Sequence, residues 1–92
     1  MNEKISKELE IINERGLHAR AAANFVKAID GLDAVIEVER LGQIVDGCSI
    51  MGLMMLAASK GTSIKISASG KDAQKAINNL TNLITNKFGE EK

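Results

Sequence analysis

The sequence predicts an α+β fold, a two-layer sandwich with helices on one side of an antiparallel sheet. Three observations predict it. Strand-like and helix-like segments follow one another in the order β-α-β-β-α-β-α. The strand-like segments are short and alternate apolar with polar residues, as in a sheet covered on one face, which favours antiparallel pairing. The first and last helix-like segments each carry one apolar stripe, and two such stripes suffice to cover that face.

The first strand is expected over Ile5–Ile12, with Leu9 and Ile11 inward and Glu8 and Glu10 outward. A helix is expected over Ala19–Ile29, where Ala22, Phe25, Val26 and Ile29 recur at i, i+3, i+4, i+7. Asp30-Gly31 ends it. The second strand covers Ala34–Arg40, with Ile36 and Val38 inward and Glu37 and Glu39 outward. Leu41-Gly42 makes a tight turn into a short third strand, Gln43–Val45. Ser49 is a suitable N-cap for a second helix running to Ala58. In the fourth strand Ile64, Ile66 and Ala68 alternate with Lys65, Ser67 and Ser69. Gly70 then turns the chain into a last helix, Lys71–Lys87. Its stripe is Ala73, Ala76, Ile77, Leu80, Leu83 and Ile84, continuing to Phe88.

Ninety-two residues make a single domain, residues 1–92, with a modest core. Twelve basic residues balance twelve acidic ones, so no net field attracts nucleic acid or an anionic membrane. The only aromatic residues are Phe25 and Phe88, which disfavours base-stacking nucleic-acid modules. A lone Cys48 excludes an internal disulfide and a cysteine-rich metal site. The start, Met1-Asn2-Glu3-Lys4, is polar, with no apolar signal region after it, and no apolar run approaches a membrane span of ~18 residues. A cytoplasmic location is the expectation, with no metal and no cofactor.

Two places depart from an ordinary pattern. His18, the only histidine, lies in Gly16-Leu17-His18-Ala19-Arg20, where strand gives way to helix. Gly16 permits a sharp turn before it. The first-turn N–H groups of the coming helix lie beside the ring and favour negative charge. Arg20, two residues on, can fork onto phosphate oxygens. That positive surrounding keeps a ring nitrogen available as a nucleophile and would steady a phosphoryl group once attached. No acidic partner for His18 is identifiable in the sequence, which argues against a hydrolytic triad. Two readings stand for the residue itself: an incidental surface histidine, or a phosphoryl acceptor.

The second place is Ser49–Ala58, in which eight of ten residues are apolar. A helix apolar all round is normally buried on every side, and so small a protein has little room for that. Part of this surface is therefore expected to stay exposed as a partner site. Three of the four methionines, Met51, Met54 and Met55, lie here, and methionine suits surfaces that fit several partners. The competing reading is a core helix. Ser49 itself has a structural role as N-cap. A phosphate there would suit the helix N-terminus while adding about two negative charges to the apolar patch.

Together these residues resemble the histidine-containing phosphocarrier (HPr) family of the bacterial phosphoenolpyruvate-dependent sugar phosphotransferase system. Gly16-Leu17-His18-Ala19-Arg20 resembles the family's active-site motif, continued by Ala22-Ala23 and Phe25-Val26-Lys27. Ser49-Ile50-Met51-Gly52-Leu53-Met54 resembles its regulatory-serine motif. The chain departs from the family pattern at Ala21, where proline is frequent, and at Cys48, where lysine is common.

The resemblance implies an open-faced β-sandwich: four antiparallel strands in the order 1-4-2-3, with three helices on one face. It implies that His18 accepts a phosphoryl group on Nδ1 from phosphorylated enzyme I and passes it to a histidine of an enzyme IIA component, with Arg20 steadying the group. It implies a docking face of Leu17, Ile50, Met51 and Met54 with Lys27 at its rim, and Ser49 as a target of HPr kinase/phosphorylase. Such a protein is a monomeric shuttle with a shallow site and small, transient interfaces, rather than a free-standing enzyme. The alternatives are a nitrogen-branch or purely regulatory paralogue that moves no sugar, and a plain α+β interaction module in which His18 is incidental.

Overall fold

Period-two alternation in four segments builds four strands in the computed structural model, which describes residues 4–92; the polar start Met1-Asn2-Glu3 lies outside them. The strands are β1 (Ile5–Glu10), β2 (Val35–Arg40), β3 (Gln43–Asp46) and β4 (Ser63–Ser69). They form one antiparallel sheet in the order β1-β4-β2-β3, the order the resemblance implied. The register sets Leu9 opposite Ile64, and Val38 opposite both Ile66 and Val45. Directly opposed residues share a face, so these side chains turn to the core while Glu8, Lys65 and Glu39 share the open face.

Helices α1 (Ala19–Ala28), α2 (Ile50–Met55) and α3 (Ala73–Thr85) complete the described elements, together with one tight turn at Lys87–Gly89. α3 lies over β1 and β4, α1 packs against both α2 and α3, and α2 sits beside β3. Phe25, Ile36, Val38, Leu53, Ile66 and Leu80 are fully buried in the cluster between the layers. Burying each large apolar side chain contributes about 1.5–3 kcal/mol. On α1 the buried stripe is Ala21, Ala22 and Phe25, with Val26 only half-buried beside them.

Several boundaries move from their expected places, each for a local reason. The β1 ladder stops at Glu10, and Ile11 instead exchanges two hydrogen bonds of 2.8 Å with the turn at Gly61-Thr62. α2 ends at Met55 rather than Ala58, because Ala57 adopts a left-handed backbone (φ 52°) that no helix can continue. α3 begins at Ala73, since the Asp72 carboxylate accepts from the Asp33 backbone N–H at 2.8 Å instead of capping its own helix. It ends before Lys87, and Phe88 is buried from the following turn rather than from the helix stripe. The β2–β3 hairpin turns on Leu41 and Gly42, both with positive φ (51° and 83°), as the right-handed twist of a two-residue connection requires.

Candidate functional site

The site is built on the turn between β1 and α1. Gly16 adopts φ +68°, and a Cβ there would lie 2.6 Å from the Ala58 carbonyl oxygen. Only glycine fits both constraints. The close approach lets the Leu17 N–H donate to that same oxygen at 2.9 Å. The His18 turn is thereby fastened to the chain leaving α2, so the two unusual places in the sequence are joined. His18 is the N-cap of α1, extended (φ −81°, ψ −177°), and its side chain makes no cap hydrogen bond. The first-turn N–H groups of α1 therefore have no side-chain acceptor from the cap residue. His18 is half-buried in a depression of about 220 Å³ lined by Arg15, Leu17, His18 and Ala57–Ser59.

Sequence reasoning found no acidic partner for His18, and the structure corrects this. Nε2 of His18 lies 2.6 Å from Oε2 of Glu90, a residue 72 positions away. The C-terminal tail returns across the turn to supply it. The other carboxylate oxygen accepts from Asn13 Nδ2 at 3.0 Å, and the same amide donates to the Gly16 carbonyl at 2.8 Å. Both partners of that nitrogen are acceptors only, so the orientation of the Asn13 amide is fixed. Asn13 is fully buried, and its Oδ1 has no hydrogen-bond partner among the described residues. Burial raises the pKa of the Glu90 carboxyl, but hydrogen bonds from His18 and Asn13 and the charges of His18 and Arg15 outweigh it. The net effect holds it below its ordinary value of 4.5. A signal for Glu90 existed only in the acidic pair that follows Phe88-Gly89, which no short motif connects to His18.

The other expected residues divide into three groups. Arg20 is exposed on the first turn of α1, and its guanidinium makes no hydrogen bond among the described residues. Lys27 is exposed in the last turn of the same helix. Leu17, expected on a docking face, is only 5 % exposed and belongs to the core cluster, and its N–H is bonded to the Ala58 carbonyl. Ile50, Met51 and Met54 are exposed, and Met55, absent from the expected set, is exposed with them. Met51 alone is 71 % exposed. Leu53 and Leu56 point the other way and anchor α2 in the core, so a six-residue helix divides cleanly into a buried and an exposed side.

Ser49 caps α2: its hydroxyl accepts from the Gly52 N–H at 3.0 Å. Beside it the exposed Cys48 thiol is pushed up by partial burial and by the charges of Asp46 and Asp30, which keeps it protonated. Among the described residues no group of histidine, cysteine and acidic side chains forms a metal cluster, and no helix is long and apolar enough to cross a membrane.

The family model described as the HPr component phosphorylation site of the phosphotransferase system matches residues 5–86. The phosphocarrier protein HPr of Neisseria meningitidis serogroup A is 44 % identical over 86 residues, covering 94 % of this chain and 97 % of the relative. The HPr of Pseudomonas aeruginosa is 46 % identical over 84 residues, covering 90 % and 93 %. Among solved structures, an HPr from Thermoanaerobacter tengcongensis superposes with a TM-score of 0.91 at 44 % identity, covering 96 % of this chain and 99 % of that one. Crh, a catabolite-repression protein of Bacillus subtilis crystallised as a swapped dimer, superposes with a TM-score of 0.73 at 35 % identity, covering 90 % and 95 %.

Proposed function

The chain belongs to the HPr family of the phosphotransferase system, and from that premise we propose that it is a cytoplasmic phosphocarrier working through His18. His18 takes a phosphoryl group from phosphorylated enzyme I and passes it to an enzyme IIA component. The observation that carries this reading is the start of α1: a histidine at the N-cap whose side chain leaves the first-turn N–H groups unfilled, in a shallow depression on the surface. Those N–H groups, and the exposed Arg20 guanidinium on the same first turn, are suited to the oxygens of a phosphoryl group. A shallow site lets a second protein reach the same atom, which a deep pocket would obstruct.

The exposed side of α2, Ile50, Met51 and Met54 with Met55, is the proposed docking face, and Lys27 supplies a charged rim on α1. Leu17, though buried, is joined to the chain leaving α2 through its bond to Ala58. Each encounter is small and transient, with one chain as the working unit. Incubation with phosphoenolpyruvate and enzyme I is expected to give an acid-labile adduct that is absent from His18→Ala. No adduct with a competent enzyme I contradicts the carrier.

Ser49 supports a second, regulatory reading. Its hydroxyl sits at the edge of the apolar side of α2, and a phosphate placed there adds about two negative charges to the docking face. HPr kinase/phosphorylase with ATP is expected to give an acid-stable adduct. Retention of that adduct in Ser49→Ala excludes the site.

A further inference from the structure

We infer that Glu90 is a positioning residue for His18: it fixes the imidazole as the Nε2–H tautomer and stays paired with the ring while Nδ1 carries the phosphoryl group. This rests on the carrier reading and extends it to the C-terminal tail.

The chemistry follows from what each group can offer. An ionised carboxylate only accepts hydrogen bonds, so its contact with Nε2 at 2.6 Å requires the proton to be on Nε2. A neutral ring protonated there has its lone pair on Nδ1. Nδ1 attacks phosphorus, the bond between phosphorus and the donor's atom breaks, and that electron pair leaves with the donor. The Nε2 proton stays where it was, so the phosphorylated ring is a cation, and Glu90 is the anion beside it. In the second transfer the acceptor's lone pair forms a new bond to phosphorus. The Nδ1–P bond breaks, its pair returns to Nδ1, and the ring is again neutral with its proton on Nε2. No proton has to enter or leave in either step. Without Glu90 the cationic ring loses its Nε2 proton more readily, and a neutral phosphoimidazole is a poorer leaving group.

The contact is held from several directions. Asn13 grips the second oxygen of Glu90 and the Gly16 carbonyl together, coupling the tail to the turn that carries His18. The Glu14 N–H donates to the Lys92 carbonyl at 2.8 Å, closing the tail down beyond Glu90. The tail also reaches His18 by an unfavourable route. Lys87 and Phe88 both adopt φ 56°, followed by Gly89 at 81°, three consecutive residues in the left-handed region, of which two are not glycine. Such conformations persist where the surroundings over-determine them, and they cluster at functional sites. Phe88 is buried and pins this turn, and the turn's effect is to reverse the chain after α3 and deliver Glu90 to the ring.

Nitrogen-15 NMR of the unphosphorylated protein, with enzyme I kinetics on wild type, Glu90→Gln and Glu90→Asp, tests the inference. The wild-type ring is expected as the Nε2–H tautomer. Glu90→Gln keeps an acceptor but removes the charge; it is expected to slow phosphoryl transfer by about tenfold and to mix the tautomers, with Glu90→Asp recovering part of both. A wild-type ring protonated mainly on Nδ1 overturns the inference, as does a Glu90→Gln protein with unchanged tautomer and unchanged rate. Failure of wild type to take any phosphoryl group sinks the carrier reading instead, and the tautomer measurement, which needs no partner, still decides the role of Glu90.

Discussion

The two helices that carry the candidate residues begin in opposite ways. α1 starts at His18, whose side chain turns away to Glu90 and leaves the first turn without a side-chain cap. α2 starts at Ser49, whose hydroxyl already satisfies the Gly52 N–H. Their far sides are opposite too. α1 buries Ala21, Ala22 and Phe25, whereas α2 anchors itself with Leu53 and exposes Met51, Met54 and Met55. An unfilled N-terminus on a well-buried helix suits chemistry, because an incoming anion meets fixed donors. A filled N-terminus on a short, apolar, exposed helix suits recognition, because the helix holds itself together while its surface stays available.

If α1 is the rigid partner, its buried contacts should dominate stability. Phe25→Ala is expected to cost about 3–5 kcal/mol in urea denaturation, and a cost below that of a surface change would overturn the assignment. The joint between the two regions comes next. Gly16→Ala combines a left-handed backbone with a Cβ 2.6 Å from the Ala58 oxygen. A loss of about 2–4 kcal/mol is expected, together with shifted amide resonances on both sides of the joint. Resonances that move only around His18 would show the regions to be independent.

The α2 cap is weaker. Ser49→Ala is expected to cost about 1 kcal/mol, measured in the same denaturation, with Ser49→Asp retaining most of it. The His18–Glu90 contact adds a pH signature. The folded pKa of Glu90 is lowered, so its contribution to stability is present above pH 4.5 and disappears as pH falls through the lower folded value. Denaturation of wild type and Glu90→Gln should therefore differ at neutral pH and converge in acid. Met51→Glu, on the exposed side of α2, is expected to change stability by less than about 0.5 kcal/mol. It should still weaken enzyme I binding by about tenfold, read by titration calorimetry, and unchanged affinity would count against a docking role for α2.

What the sequence made legible is what depends on neighbours in sequence. Alternation in Ile64–Ser69 and Val35–Arg40 reads directly into β4 and β2, and Ser49 reads as a cap because the acceptor and its donor are three residues apart. His18 and the apolar patch were visible for the same reason. Glu90 was not, because its contact spans 72 residues and depends on a left-handed turn at Lys87 and Phe88, two residue types that carry no preference for it. The burial of Leu17 was not legible either, because its motif says nothing of the Ala58 carbonyl to which its N–H is bonded. The length of α2 was overestimated because Ala57 is a helix-forming residue held in a conformation that local preference disfavours.

The most direct test follows the phosphoryl group itself. The protein is labelled with radioactive phosphate from phosphoenolpyruvate and enzyme I, purified away from both, and mixed with an enzyme IIA component. The account predicts that label leaves His18 and appears on the enzyme IIA component, with little released to solvent. Label that stays on the protein, or that is lost only as inorganic phosphate while enzyme IIA remains unlabelled, would contradict it.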